Sequence, residues 1–271
     1  MFKRILVIIL CVGIVGCSKP KLVHQSDEVE SVKEVTKEPL LTESILKEYK
    51  ETYFDVGSDV SIGLKLLVED TEIVVDNHSM QAASLIKLFI AGCVYENLGE
   101  ISEDVEYNIH IMISDSDNTA ANNLITLLGN GDTSEGMEVV NSYCEKNGYF
   151  DTHLGRLLLA PNDLDDNFTS VQDCMLFLSR IYEKQIPGAD NILDYMIQQS
   201  RRNKIPQGIP NEIAVANKTG ELQDVENDVA IIYGENENYI LCIETQNNVN
   251  SISTQQSIQE ISKRIYEELN Q

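Results

Sequence analysis

The chain predicts an α+β fold: an antiparallel sheet built from both chain ends and flanked by helices, with an all-helical lobe inserted between the sheet halves. Three observations carry this. β-rich runs lie at 61–68 and 73–76, and again at 213–217, 228–233 and 239–244. The long stretch between the two groups has helical periodicity. An amphipathic segment, 252–269, closes the chain.

The N-terminus reads as an address. Met1-Phe2-Lys3-Arg4 is basic, and Ile5 to Val15 is apolar but too short to span a bilayer. The run ends at Gly16-Cys17, followed by polar Ser18-Lys19-Pro20. This is similar to the lipobox of bacterial lipoproteins, which implies a signal peptide at 1–16 and lipidation of Cys17. A signal anchor with an incidental cysteine is the competing reading. Residues 17–39 then form a polar tether, and 40–271 the folded domain. The expected location is outside the cytoplasm, held to the bacterial cell membrane by the lipid.

Leu41 to Phe54 spaces its apolar residues as a helix does. The two strands that follow are joined by Glu69-Asp70-Thr71 as a hairpin. Ala83 to Leu98 is an apolar helix stopped by Gly99, and it opens the helical lobe, approximately 84–205. Further helices are expected at 104–113, 117–128, 134–147, 170–184 and 189–200. Gly234 to Asn238 reads as the turn between the last two strands.

Composition excludes several function classes. The 271 residues include 44 acids against 20 bases, a formal charge of −24, which repels phosphate backbones. No nucleic-acid partner is expected. His24, His78, His110 and His153 have no metal-ligand spacing, so neither a metal nor another cofactor is expected. Cys93, Cys144, Cys174 and Cys242 sit in apolar runs and read as buried hydrophobes, with a disulfide still open to an exported chain.

Three short signals carry the chemistry. In Ser84-Leu85-Ile86-Lys87 a hydroxyl and an ammonium three residues apart share one helix face. A second copy, Ser44 to Lys47, lies on a charge-rich solvated helix and is set aside. Ser116-Asp117-Asn118 is the second signal, although all three residue types also suit a helix N-cap. Lys218-Thr219-Gly220 is the third, placed at the end of the 213–217 strand, where a plain turn would also fit.

In this order and at these separations, the three signals resemble the penicillin-recognising serine hydrolases, the superfamily of class A β-lactamases and penicillin-binding proteins. The likeness covers roughly residues 60–266. It includes Thr119-Ala120-Ala121-Asn122 after the second signal and Arg202-Asn203-Lys204-Ile205-Pro206 before the third. The resemblance implies that Ser84 is the nucleophile, that Lys87 takes its proton, and that Ser116 passes a proton to the leaving nitrogen beside Lys218. Burial and the nearby Lys218 would depress the Lys87 pKa. Asn118 would hold Lys87 and the substrate amide. Lys218, Thr219 and Gly220 would bind the substrate carboxylate, and the backbone N–H groups of Ser84 and Glu221 would form the oxyanion hole. The substrate would be a small-molecule β-lactam or a cell-wall peptide, and the protein a monomer.

Two departures qualify this. Ser84 to Ser116 is a short interval, so part of the helical lobe should be missing. The glutamate that activates the deacylating water in the family is also absent: 151–167 has no glutamate. Asp163, four residues before Asn167, has the matching spacing, but an acidic surface loop is the alternative. Three functions stay open: an efficient β-lactamase, a slowly deacylating penicillin-binding protein or D-Ala-D-Ala peptidase, and a non-catalytic wall-binding lipoprotein.

Overall fold

The computed structural model describes residues 41–162 and 164–270. The expected signal peptide, Cys17, the tether and Asp163 lie outside the described residues. Among the described residues no helix is long and apolar enough to cross a membrane.

Five strands form an antiparallel sheet in the order β2-β1-β7-β6-β5. They are β1 (Asp59–Leu66), β2 (Thr71–Val75), β5 (Val215–Leu222), β6 (Val225–Tyr233) and β7 (Asn238–Gln246). The C-terminal β7 pairs with the N-terminal β1 from Asp59↔Gln246 to Leu66↔Tyr239, so the sheet closes across both chain ends. Its central strands are apolar on both faces, and consecutive residues go to opposite layers. Val229, Ile231, Ile240 and Cys242 join the helical lobe, while Ala230, Ile232, Leu241 and Ile243 join the outer layer.

That outer layer is α1 (Glu43–Tyr53) and α8 (Ser251–Leu269). Leu46 of α1 and Ile258, Ile261 and Ile265 of α8 are fully buried against the sheet. The lobe on the other face comprises α2 (Ile86–Asn97), α3 (Glu103–Ser114), α4 (Asn118–Leu128), α5 (Thr133–Lys146), α6 (Val171–Tyr182) and α7 (Ala189–Ile197). α2 runs through its centre and is buried on all sides from Ile86 to Tyr95. Side chains cap the helix starts: Ser102 for α3, Asp117 for α4, Asp132 for α5 and Ser170 for α6. Cys93, Cys144, Cys174 and Cys242 are buried free thiols.

Two features depart from expectation. Lys218-Thr219-Gly220 is not at a strand end but inside β5, which continues to Leu222 and turns through Gln223-Asp224 directly into β6. The polar run after Asn217 hides this continuation. The small ribbon of β3 (Met80–Gln81) with β4 (Phe168–Thr169) is also new, being too short for any periodic signal. It ties the chain just ahead of Ser84 to the end of the 153–167 loop.

Candidate active site

A 3-10 turn, Ala83–Leu85, leads straight into α2. Ala83 stands in the left-handed region at φ +48°, a backbone an alanine adopts only at a cost and one that recurs at functional sites. The strained turn presents Ser84 half-exposed, while Lys87, one helical turn on, is fully buried.

The edge strand β5 packs tightly against this turn. A Cβ on Gly220 would come within 2.6 Å of the Ala82 carbonyl and 3.3 Å of the Ala83 Cβ. Glycine is therefore needed here for close approach rather than for backbone freedom. Asn227 on β6 fastens the same turn from behind, donating from Nδ2 to the Gln81 carbonyl at 2.8 Å.

Ser84, Lys87, Ser116, Asn118 and Lys218 form one connected network. Lys87 Nζ lies 3.0 Å from Ser84 Oγ, 2.7 Å from Asn118 Oδ1, and 2.7 and 3.2 Å from the carbonyl and hydroxyl oxygens of Ser116. Lys218 Nζ donates to the Ser116 hydroxyl at 2.9 Å and to the Thr219 carbonyl at 2.8 Å. The Ser116 hydroxyl thus bridges two buried ammonium groups, its backbone held at φ +59°. Between the two, Asp117 caps α4 through Ala120 N at 2.7 Å. Asp117 is thus the N-cap, while its neighbours Ser116 and Asn118 stand in the Lys87 network.

Burial pushes the Lys87 pKa down to about 7, with the charge of Arg201 adding to it and Asp117 opposing. Arg201 was not expected from sequence; the mutual repulsion of Lys87 and Lys218 was. Lys218 is itself driven well below its ordinary value by burial and then by Lys87 and Arg201. A buried amine near neutrality can take a proton. Beside it, the Thr219 hydroxyl is buried with no partner among the described residues.

A cleft of about 270 Å³ opens over this network, with Ser84, Asn118, Arg156, Leu158, Leu159 and Glu221 among its walls. The 153–167 loop forms one wall. Arg156 Nε pairs with buried Asp166 at 2.7 Å, and Asn167 Oδ1 accepts from the backbone N–H groups of Gly155 and Arg156. Asn122 grips Leu158 in both directions, accepting from its N–H and donating to its carbonyl, each at 2.9 Å. Asp165 pairs with His153, and Asp166 also accepts from Gln81. Asp165, Asp166 and Asn167 thus fasten the loop, while Asp163, the expected water-activating residue, lies outside the described residues.

Arg201 and Leu158 escaped the sequence reading, and Lys204 had been given no role. Arg201 and Lys204 both pair with Glu221, and Leu158 lines the cleft. The Arg156–Asp166 pair closing a short loop was the available signal for Leu158. For Arg201 and Lys204 the signal would have been an acid at 221 within a strand of cationic function.

Fold and site together define a penicillin-recognising serine hydrolase. The model of the Beta-lactamase enzyme family matches residues 103–269, more than half of the chain, and the chain belongs to that family. A β-lactamase from Sphaerobacter thermophilus DSM 20745 is 20% identical, with a TM-score of 0.73 over 83% of this chain and 97% of its own. TLA-1 extended-spectrum β-lactamase is 18% identical, with a TM-score of 0.74 over 85% and 99%. A PBP-A mutant, in acyl-enzyme complex with penicillin G, is 20% identical, with a TM-score of 0.71 over 83% and 94%. No curated protein sequence matches. The chain is a β-lactamase-like serine hydrolase.

Proposed function

We propose that the protein is acylated at Ser84 by β-lactams or D-alanyl peptides and releases the acyl group slowly, in the manner of a penicillin-binding protein. The observation that carries this is the Lys87 network standing complete beside a cleft wall of Leu158 and Leu159. In the reaction, Lys87 as free amine takes the Ser84 proton while Oγ attacks the carbonyl carbon. The backbone N–H groups of Ser84 and Glu221 receive the oxyanion. The C–N bond then breaks, and the proton passes through Ser116 to the leaving nitrogen. Lys218 and Thr219 bind the substrate carboxylate; the unpartnered Thr219 hydroxyl supports this.

Deacylation needs a base to draw a proton from water as it adds to the ester. Among the described residues lining the cleft, Glu221 is the one carboxylate, and it is paired with two cations. PBP-A, a structural relative, has been trapped as an acyl-enzyme with penicillin G in a mutant form.

Intact-mass measurement after mixing with benzylpenicillin tests the proposal. One adduct of the full drug mass should form, persist for hours, and be missing in Ser84→Ala. Rapid return to the unmodified mass would support an efficient β-lactamase instead. No adduct at all would favour the non-catalytic alternative.

A further inference from the structure

We infer that a second recess beside the 153–167 loop, walled by Gln81, Asn162, Phe168 and Asn247, binds a neutral sugar ring of the glycan that carries a wall-peptide substrate. The glycan source rests on the acylation reading; sugar binding itself does not.

The recess encloses about 490 Å³, against about 270 Å³ for the cleft over Ser84. That is ample for a small ligand. The two share a partition: Arg156 lines the cleft, Asp166 lines the recess, and the pair meets at 2.7 Å. One molecule bearing both a peptide and a sugar thus has a place for each.

The β3–β4 ribbon supplies part of the wall. Met80 and Thr169 pair across it and are buried, whereas the next pair, Gln81 and Phe168, is partly exposed and lines the recess. Asp166 Oδ2 fixes two amides, accepting from Gln81 Nε2 at 2.8 Å and from Asn162 Nδ2 at 3.2 Å. The carbonyl oxygens of both amides are left as acceptors in fixed positions. Asn247 stands at φ +59°, and its side-chain amide has no hydrogen-bond partner among the described residues. It offers a donor and an acceptor together.

These walls suit other ligand classes poorly. Among the described residues no lysine or arginine lines the recess, so an anion finds no charge there. Of the two carboxylates, Asp166 is taken by Arg156 and Asp165 is bonded to His153, so a cation gains little. An extended peptide finds no free strand edge. Phe168 exchanges both backbone bonds with His153, and the Gln81 N–H and carbonyl are taken by Gln246 and Asn227. A sugar fits what remains: hydroxyls donate to the fixed amide oxygens, an acetamido group pairs with Asn247, and the CH face lies on Phe168. Binding to groups already held in place costs little further ordering.

Saturation-transfer NMR with chitotriose, the trimer of N-acetylglucosamine, tests this. The wild type should bind with a Kd on the order of 1 mM. Phe168→Ala and Asn247→Gly should each weaken binding about tenfold, the scale of one lost contact, with the rate of acylation by benzylpenicillin unchanged. Glycine takes the positive φ at 247 readily, so that variant keeps the backbone.

A wild type that ignores chitotriose, or binding that both variants retain, would overturn the inference. Spermidine or trialanine binding weakened by the same substitutions would mark a cation or peptide site instead, and also overturn it. Should Phe168→Ala disturb the fold, seen as slowed acylation, Asn247→Gly decides. Absence of any wild-type adduct would refute acylation and leave the chitotriose titration, which does not involve Ser84, to decide the sugar site on its own.

Discussion

Two stretches line the same cleft and are equally rich in polar bonds, yet they carry different things. Around Lys87 the bonds join groups that the proposed acylation would use: the Ser84 hydroxyl, the bridging Ser116 hydroxyl and two amines with lowered pKa. In the 153–167 loop the bonds fasten backbone. Arg156–Asp166, Asn167 to Gly155, and Asn122 to Leu158 fix the path of the chain, and the described residues it brings to the cleft are Arg156, Leu158, Leu159 and Ala160. Positioning and chemistry are therefore separable: among the described residues, the bonds of this loop hold backbone rather than join titratable groups over Ser84.

The largest effect expected from breaking this contrast is on the Lys87 side. Lys87→Met removes the base and should slow acylation by benzylpenicillin about 10³-fold, followed by adduct formation over time. In the wild type the reactive form is the free amine. With the Lys87 pKa at about 7, the acylation rate should climb through neutral pH and level off above it. A flat profile from pH 6 to 8 would remove Lys87 as the base.

The next effect sharpens the contrast from the loop side. Leu158→Glu keeps the Asn122 clamp on the backbone while adding a carboxylate to the cleft wall. Acyl-enzyme lifetime should shorten by about 10²-fold, the usual scale of general-base assistance. An unchanged lifetime would mean that something other than a missing base retains the acyl group.

The smallest effect concerns stability beneath the loop. Glu244 on β7 is fully buried, and neither of its oxygens has a hydrogen-bond partner among the described residues. Burial pushes its pKa up to about 8, with the Cys174 thiol opposing and Asp173 adding. The folded state thus holds a proton that the unfolded chain releases near pH 4.5. Stability should fall as pH rises from about 4.5 to about 8. Glu244→Gln removes that dependence, and its thermal midpoint should exceed that of the wild type by a few degrees at pH 8. Parallel midpoints across the range would contradict this.

Much of the architecture was legible because its signals are periodic. The helices on both sides of the sheet and the core of each long strand follow from apolar spacing, and five network residues follow from three short signals. What stayed hidden lacks a local signature. β5 extends through polar Lys218 to Leu222 because β6 pairs with it, not because its residues favour a strand. Arg201 looks like any exposed arginine until sheet register sets Glu221 beside it. Leu158 is an ordinary loop leucine until Asn122 and Asn167 seat the loop over Ser84. Lys204 entered the sequence reading only as part of the Arg202–Pro206 element, and only the fold reveals that it is buried between acids.

The closure of the sheet across both chain ends has a bearing on biosynthesis. β1 and β2 are made before the helical lobe, but the strand between β1 and β6 is made only after the lobe, β5 and β6, ending at Gln246. Until then the hairpin has no neighbour, and the serine has no edge strand against its turn. A ribosome that stops short of β7 releases a chain with an unpartnered apolar hairpin, a target for proteolysis rather than a half-active enzyme. The complete sheet, and with it the setting of Ser84, waits for β7.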